Sequence, residues 1–122
     1  MTWLLVFLGG GLGSLARYGM THLLPAIDHE EGTFPWATLG ANLLACIILG
    51  VGLGLVSRQV LSKELQLFVL TGFCGGYSTF STFSAELVLL MDEGHFGVAA
   101  GYVGVSVFTG FLVLWGAYEV VR

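Results

Sequence analysis

The sequence predicts an all-α membrane protein with four transmembrane helices, the third of them broken near mid-membrane. Three observations carry this reading: a composition suited to lipid, four long apolar runs joined by short polar links, and a glycine pair followed by hydroxyls inside the third run. The chain is 56% hydrophobic and only 10% charged, whereas a soluble domain is about 25% charged. At roughly 20 residues per crossing of the hydrocarbon core, 122 residues supply four helices with short links. A single transmembrane domain, 1–122, is therefore expected. The net charge of -4 lacks the clustered Lys and Arg of a nucleic-acid partner.

The first helix is expected over about 3–24. Its start, Trp3-Leu4-Leu5-Val6-Phe7-Leu8, has no basic region before it, so it reads as a retained helix, not a signal peptide. Pro25 and the polar stretch Asp28-His29-Glu30-Glu31-Gly32 stop it. The second, about 36–57, begins after Pro35, a residue compatible with a helix start, and ends at Ser57-Arg58-Gln59. The third, about 65–91, and the fourth, about 96–121, flank the loop Asp92-Glu93-Gly94-His95. Links this short make neighbouring helices antiparallel.

Glycine numbers 19, and Gly9 with Gly13, Gly50 with Gly54, and Gly97 with Gly101 stand four apart. That spacing lets helix backbones approach closely in a membrane. A phosphate-cradling reading of Gly9 to Gly13 fails, because neither GxGxxG nor a Walker lysine follows. Cys46 and Cys74 lie in apolar runs without a CxxC or a histidine at ligand spacing, and read as packing residues. His22, His29 and His95 form no metal set.

If the helices alternate, the amino terminus, the Arg58 to Lys63 link and Arg122 share one face, opposite two acidic loops. The positive-inside rule leans weakly towards a cytoplasmic amino terminus, so mixed insertion stays open. Four slender helices are too few to enclose a polar path, and an oligomer is expected.

The third run carries the chemistry, reading Gly72-Phe-Cys-Gly-Gly-Tyr-Ser-Thr-Phe-Ser-Thr-Phe-Ser-Ala-Glu86. Gly75 and Gly76 weaken the helix, and the hydroxyls after them can bond to backbone groups. Unwound backbone in a bilayer survives only where it is buried or lines a cavity, and its freed carbonyls suit a hard cation such as Na⁺. A kink filled by hydroxyls is the other reading.

Phe80 and Phe83 stand three apart among Ser81, Thr82 and Ser84. Ring edges are electropositive, so rings and hydroxyl donors can hold an anion without a full charge that would trap it; core packing is the alternative. Asn42 either ties helices together or lines a path. Tyr102, Ser106 and Thr109 recur at helical spacing and either form a polar stripe or bond to their own backbone. Arg17 and Glu86 are the two charges well inside apolar runs, which makes each a functional candidate. Arg17 either attracts anions in a vestibule or anchors its helix end.

These residues, taken together, resemble the CrcB, or Fluc, family of fluoride channels over the whole chain. The family pattern is similar to GxxGGxTTFSTF with a Glu soon after, matched here from Gly72 to Phe83 and at Glu86, with Ser78 in place of a threonine. Gly9, Gly10, Gly13, Arg17 and Tyr18 match its first helix, and Tyr102, Ser106 and Gly110 its fourth. The second helix departs, since Ala37 and Ala45 stand where the family usually has glycines around Thr38 and Asn42.

The resemblance implies an antiparallel, dual-topology homodimer in the cell (inner) membrane, with two fluoride pathways and one structural Na⁺ at the centre. By the same resemblance the Gly75 and Ser78 carbonyls hold Na⁺, and Phe80 and Phe83 line the pores. Asn42, Ser81, Thr82, Tyr102 and Ser106 supply polar positions, Glu86 stands beside them, and Arg17 sits in the vestibule. The expected function is passive export of F⁻, without enzymatic chemistry. Two rivals remain at this level. A small multidrug-type proton-coupled transporter would need a Glu in its first helix, where this chain has Arg17. A non-transporting assembly subunit would fit the glycine faces.

Overall fold

The computed structural model describes residues 1–24, 28 and 30–122, and all their regular structure is helical. Helix α1 runs over Thr2–Leu23. Leu24 turns extended, its N–H still reaching the Met20 carbonyl; Pro25 and His29 lie outside the described residues.

Helix α2, Trp36–Ser57, starts after a fully buried Pro35, whose carbonyl accepts the Leu39 N–H at 3.1 Å. It ends in a Schellman turn: Val60 N–H bonds to Leu55 O at 3.2 Å and Gln59 N–H to Val56 O at 2.9 Å. Gln59 takes the left-handed conformation (φ 59°) that this turn requires.

The third run is divided. Helix α3, 63–77, opens with one α-turn at Lys63–Leu65, is wound as π-helix over Gln66–Phe73, and returns to α over Cys74–Tyr77. Residues 78–80 are not helical, and Ser78 is extended. Helix α4, Ser81–Asp92, follows the break, and α5, Phe96–Val121, follows a second Schellman turn at Gly94 (φ 84°). The glycine pair therefore stays inside the helix, which gives way at Ser78, two residues beyond it.

Helix α1 packs on α3, and α2 on α5. Glycine sets the first contact: a Cβ on Gly9 would overlap the Phe68 carbonyl, one on Gly13 the Phe73 carbonyl, and one on Gly76 the Gly10 carbonyl. Backbones touch here because no side chain intervenes, which is how membrane helices gain dispersion energy without a hydrophobic drive. Two small cores flank the break, one of Leu39, Leu90, Ala99 and Tyr102, the other of Ala41, Ala45 and Tyr77.

Among the described residues, α2 and α5 are long and apolar enough to cross a bilayer on their own. In α1 the apolar residues are diluted by glycine and polar residues, and the third run is cut in two by the break.

Candidate functional site

A helix that stops in apolar surroundings must find new partners for its backbone. At the break, side chains provide them. Asn42, on α2, grips Thr79 from both sides: its Nδ2 donates to the Thr79 carbonyl at 3.2 Å, and its Oδ1 accepts the Thr79 N–H at 2.8 Å. Thr79 Oγ1 then accepts the Thr82 N–H at 3.1 Å, capping the start of α4. In a continuous helix the Thr79 and Thr82 N–H groups would bond to the carbonyls of Gly75 and Ser78. Both donors are diverted, which releases those two oxygens.

Two further groups complete the end of α3. Ser78 Oγ donates back to the Cys74 carbonyl at 2.7 Å, and Arg17 Nε donates to the Gly76 carbonyl at 3.4 Å. A guanidinium at a helix carboxyl end also offsets its partial negative charge. Among the described residues no group of three or more His, Cys, Asp or Glu side chains could hold a metal ion.

Beside the break lies an open cavity of about 440 Å³ between α2, α3 and α5. Asn42, Gly75, Ser78, Thr79, Phe80, Phe83 and Ser106 contribute to its lining, and no charged side chain does. Phe80 is 79% exposed in the protomer, 6.0 Å from the ring of Phe83. Phe83 packs at 4.8 Å on Tyr102, which stands behind it. Ser106 Oγ is buried without a hydrogen-bond partner among the described residues, and an unpaired hydroxyl in such a place is a donor for whatever enters.

Glu86 lies deeper, 4% exposed. Thr38 Oγ1 donates to its Oε2 at 3.0 Å and Tyr102 Oη to its Oε1 at 2.8 Å, so each carboxylate oxygen has a hydroxyl. This joins α2, α4 and α5. Ser81 Oγ stands 3.4 Å from Thr79 Oγ1, and Thr109 bonds to its own backbone at Val105. Of the residues singled out in the sequence, Asn42, Gly75, Ser78, Phe80, Phe83 and Ser106 thus meet at the cavity. Tyr102 and Glu86 back it, while Ser81, Thr82 and Arg17 lie outside its lining.

Thr38 and Thr79 were not assigned roles from the sequence. A signal existed for Thr38, which stands one turn before Asn42 on the same face of α2 and can answer a buried carboxylate. For Thr79, the signal is only its membership of the hydroxyl run.

Comparison with known proteins follows this geometry. The family model "CrcB-like protein, Camphor Resistance (CrcB)" matches residues 4–118. A Flavobacterium psychrophilum protein named fluoride-specific ion channel FluC is 39% identical over 111 residues, 90% of this chain and 88% of that protein. Proteins of the same name from Cronobacter sakazakii (43% over 111 residues, 90% and 85% of the chains) and Methylobacillus flagellatus (34% over 120 residues, 98% and 93%) are similar.

Proposed function

The chain belongs to the CrcB family, and from that membership we propose that it is a fluoride-selective ion channel of the cell (inner) membrane. It is not an enzyme: F⁻ crosses without a bond being made, running out of a cytoplasm that HF has entered and acidified. The observation that carries this reading is the uncharged cavity at the break, where an amide, hydroxyls and two phenyl rings face one space.

An ion pathway must bind well enough to admit an ion and weakly enough to release it. A lysine or arginine in a dry site would hold a small anion too tightly, because Coulomb attraction is strong at low dielectric. Neutral donors avoid this. The Asn42 amide marks one wall, Ser106 offers a hydroxyl from α5, and the positive edges of Phe80 and Phe83 take the place of lost hydration. Tyr102 supports Phe83 from behind, Ser81 and Thr82 extend the hydroxyl track past the break, and Arg17 draws anions towards the vestibule without lining the cavity.

In this reading the chain crosses the bilayer four times, and two copies inserted antiparallel complete the pathways. The exposure of Phe80 and the openness of Gly75, which has nothing within 4 Å of a built Cβ, support a partner at this face. Na⁺ at the centre would be held by the Gly75 and Ser78 carbonyls, the two oxygens that lose their helical donors. It would supply a fixed positive charge tying the two broken helices together.

The test is reconstitution. Purified protein in liposomes should release internal fluoride, read by a fluoride electrode, once a potassium ionophore balances charge, and should leave chloride in place. Retained fluoride in sound vesicles overturns the proposal; uptake of a cationic drug driven by a pH gradient would favour the proton-coupled rival.

A further inference from the structure

Cys46 and Cys74 are far apart in the sequence and meet across the seam between α2 and α3. Asn42 bonds to Thr79, and Ala45 meets Cys74, so the two helices run past each other in opposite directions. Cys46 stands one turn on from Asn42, and Cys74 about one turn back from Thr79. The Cys74 Sγ points at α2, 3.9 Å from the carbonyl of Ala45, the residue next to Cys46. The two sulfurs lie within electrostatic reach of one another, and both cysteines border the cavity beside the break. Gly110 of α5 leaves room for Cys46, since a Cβ there would stand 3.6 Å from its Sγ.

Two thiols facing one space are half of a tetrahedral metal set. Zn²⁺ in a structural site takes four ligands, and among the described residues no third His, Cys, Asp or Glu joins the pair. A soft cation of linear, two-coordinate geometry needs no more than these sulfurs supply. Charge then chooses among such cations. No charged side chain lines the cavity, and an uncompensated charge in apolar surroundings is costly. Two thiolates leave a net negative charge around a monovalent ion, whereas around a divalent one they leave none.

We propose that Cys46 and Cys74 form a binding site for a soft, linear divalent cation, Hg²⁺, which bridges the two sulfurs and ties α2 to α3. Rotation about χ1 turns each sulfur into the cavity. Mercuric chloride is a neutral molecule and reaches the thiols through lipid. Each thiol gives up its proton and each chloride leaves, so mercuric chloride and two S–H groups become one S–Hg–S bridge and two HCl, with no change of oxidation state. An ion held at two points returns to the second sulfur before it escapes, so stripping it with a competing thiol should take about a hundredfold more competitor than from either cysteine alone. The bridge lies beside Asn42 and Gly75 on the cavity wall. In the channel reading, on which this one consequence rests, it obstructs the fluoride pathway.

The test titrates purified protein with mercuric chloride. Mass spectrometry should find one mercury per chain, with both thiols lost to a colorimetric thiol assay. Glutathione should remove that mercury only at about a hundredfold the concentration that strips Cys46→Ser or Cys74→Ala, each compared as protein eluting at the natural oligomer's volume. Two mercury ions per chain, or a single-cysteine variant that holds the ion as tightly as the natural protein, overturns the inference. So does a mercury-linked pair of chains on a denaturing gel, which would assign the bridge to two copies. Mercury should also stop fluoride efflux until a dithiol is added, and equal block of the chain lacking both cysteines would overturn that consequence. The mass and the thiol count need no ion flux, so they stand or fall apart from the channel reading.

Discussion

Replacing Asn42 with Ala removes both bonds that hold Thr79 at the break, and their value can be worked from the structure. The two contacts, 3.2 Å and 2.8 Å, are part-buried. Hydrogen bonds between membrane helices measure about 0.6 to 1.7 kcal/mol each, and a buried backbone group left unpaired costs about 1 to 3 kcal/mol. The open cavity lets water reach one side, which favours the lower values and gives about 2 kcal/mol for the pair. That is roughly a thirtyfold shift of the folded-to-unfolded ratio. A second effect follows from the freed Thr79 N–H, which can turn back to the Gly75 carbonyl and close one helical turn. The break then shortens and one released oxygen is lost, so fluoride efflux should fall even in protein that remains folded. Equilibrium unfolding in mixed micelles measures the first effect and electrode-read efflux the second. Asn42→Asp keeps the acceptor for the Thr79 N–H but sets a second oxygen against the Thr79 carbonyl, and should lose at least as much stability as Asn42→Ala wherever the carboxyl is ionised. If Asn42→Ala leaves both stability and efflux unchanged, the clamp does not maintain the break.

Other substitutions test the remaining parts. Gly9→Ala places a Cβ on the Phe68 carbonyl and should cost about 1 to 3 kcal/mol or abolish folding, whereas Gly11→Ala, with nothing near its Cβ, should be silent; yields of folded protein compare them. Glu86→Gln should be mild, because the Thr38 and Tyr102 hydroxyls can rotate to accept from the new amide. Glu86→Ala strands both and should cost about 2 to 4 kcal/mol, read in the same micelle unfolding. Phe80→Ala should depress fluoride efflux with little loss of protomer stability, since the ring is exposed. Phe83→Ala, which also vacates the face of Tyr102, should depress both. Protein prepared in choline salts should lose efflux and regain it when Na⁺ is added, if the carbonyls of Gly75 and Ser78 hold that ion.

The family was legible because its pattern is chemical and local: GGxST with the following Phe-Ser-Thr-Phe reads as a run of rings and hydroxyls in one piece of chain. The helical class was equally plain, since charge other than Arg17 and Glu86 lies in the links or near the ends of the runs and Pro35 marks the entry to α2. The position of the break was less so. Gly75 and Gly76 suggest it by propensity, yet both stay helical, and Gly76 is needed small against Gly10, where helix α1 approaches. What ends α3 is tertiary, an amide 37 residues away. The π-helical stretch over Gln66–Phe73 has no local marker either. Likewise a buried Glu86 announces that it needs donors but not which ones, and Thr38 and Tyr102 come from two other helices.

The three side chains at the break divide its labour in a way that bears on selectivity. Arg17 takes the Gly76 oxygen, Asn42 takes the Thr79 oxygen, and Thr79 takes the N–H that would have reached Ser78. Arg17 is therefore bound to backbone at the end of α3 and does not line the cavity. A full positive charge favours chloride and fluoride alike; if Arg17 stands at the mouth of the proposed pathway, its tie to Gly76 would leave the choice of ion to the neutral groups that line the cavity. In the proposed pathway those neutral donors would favour the anion that accepts the strongest hydrogen bonds. Arg17→Lys separates the two roles. It keeps the charge and loses the planar Nε contact, so an unaltered efflux would mean that charge at the mouth suffices, whereas a loss on the scale of Asn42→Ala would mean that the guanidinium acts by holding the broken end of α3 in place.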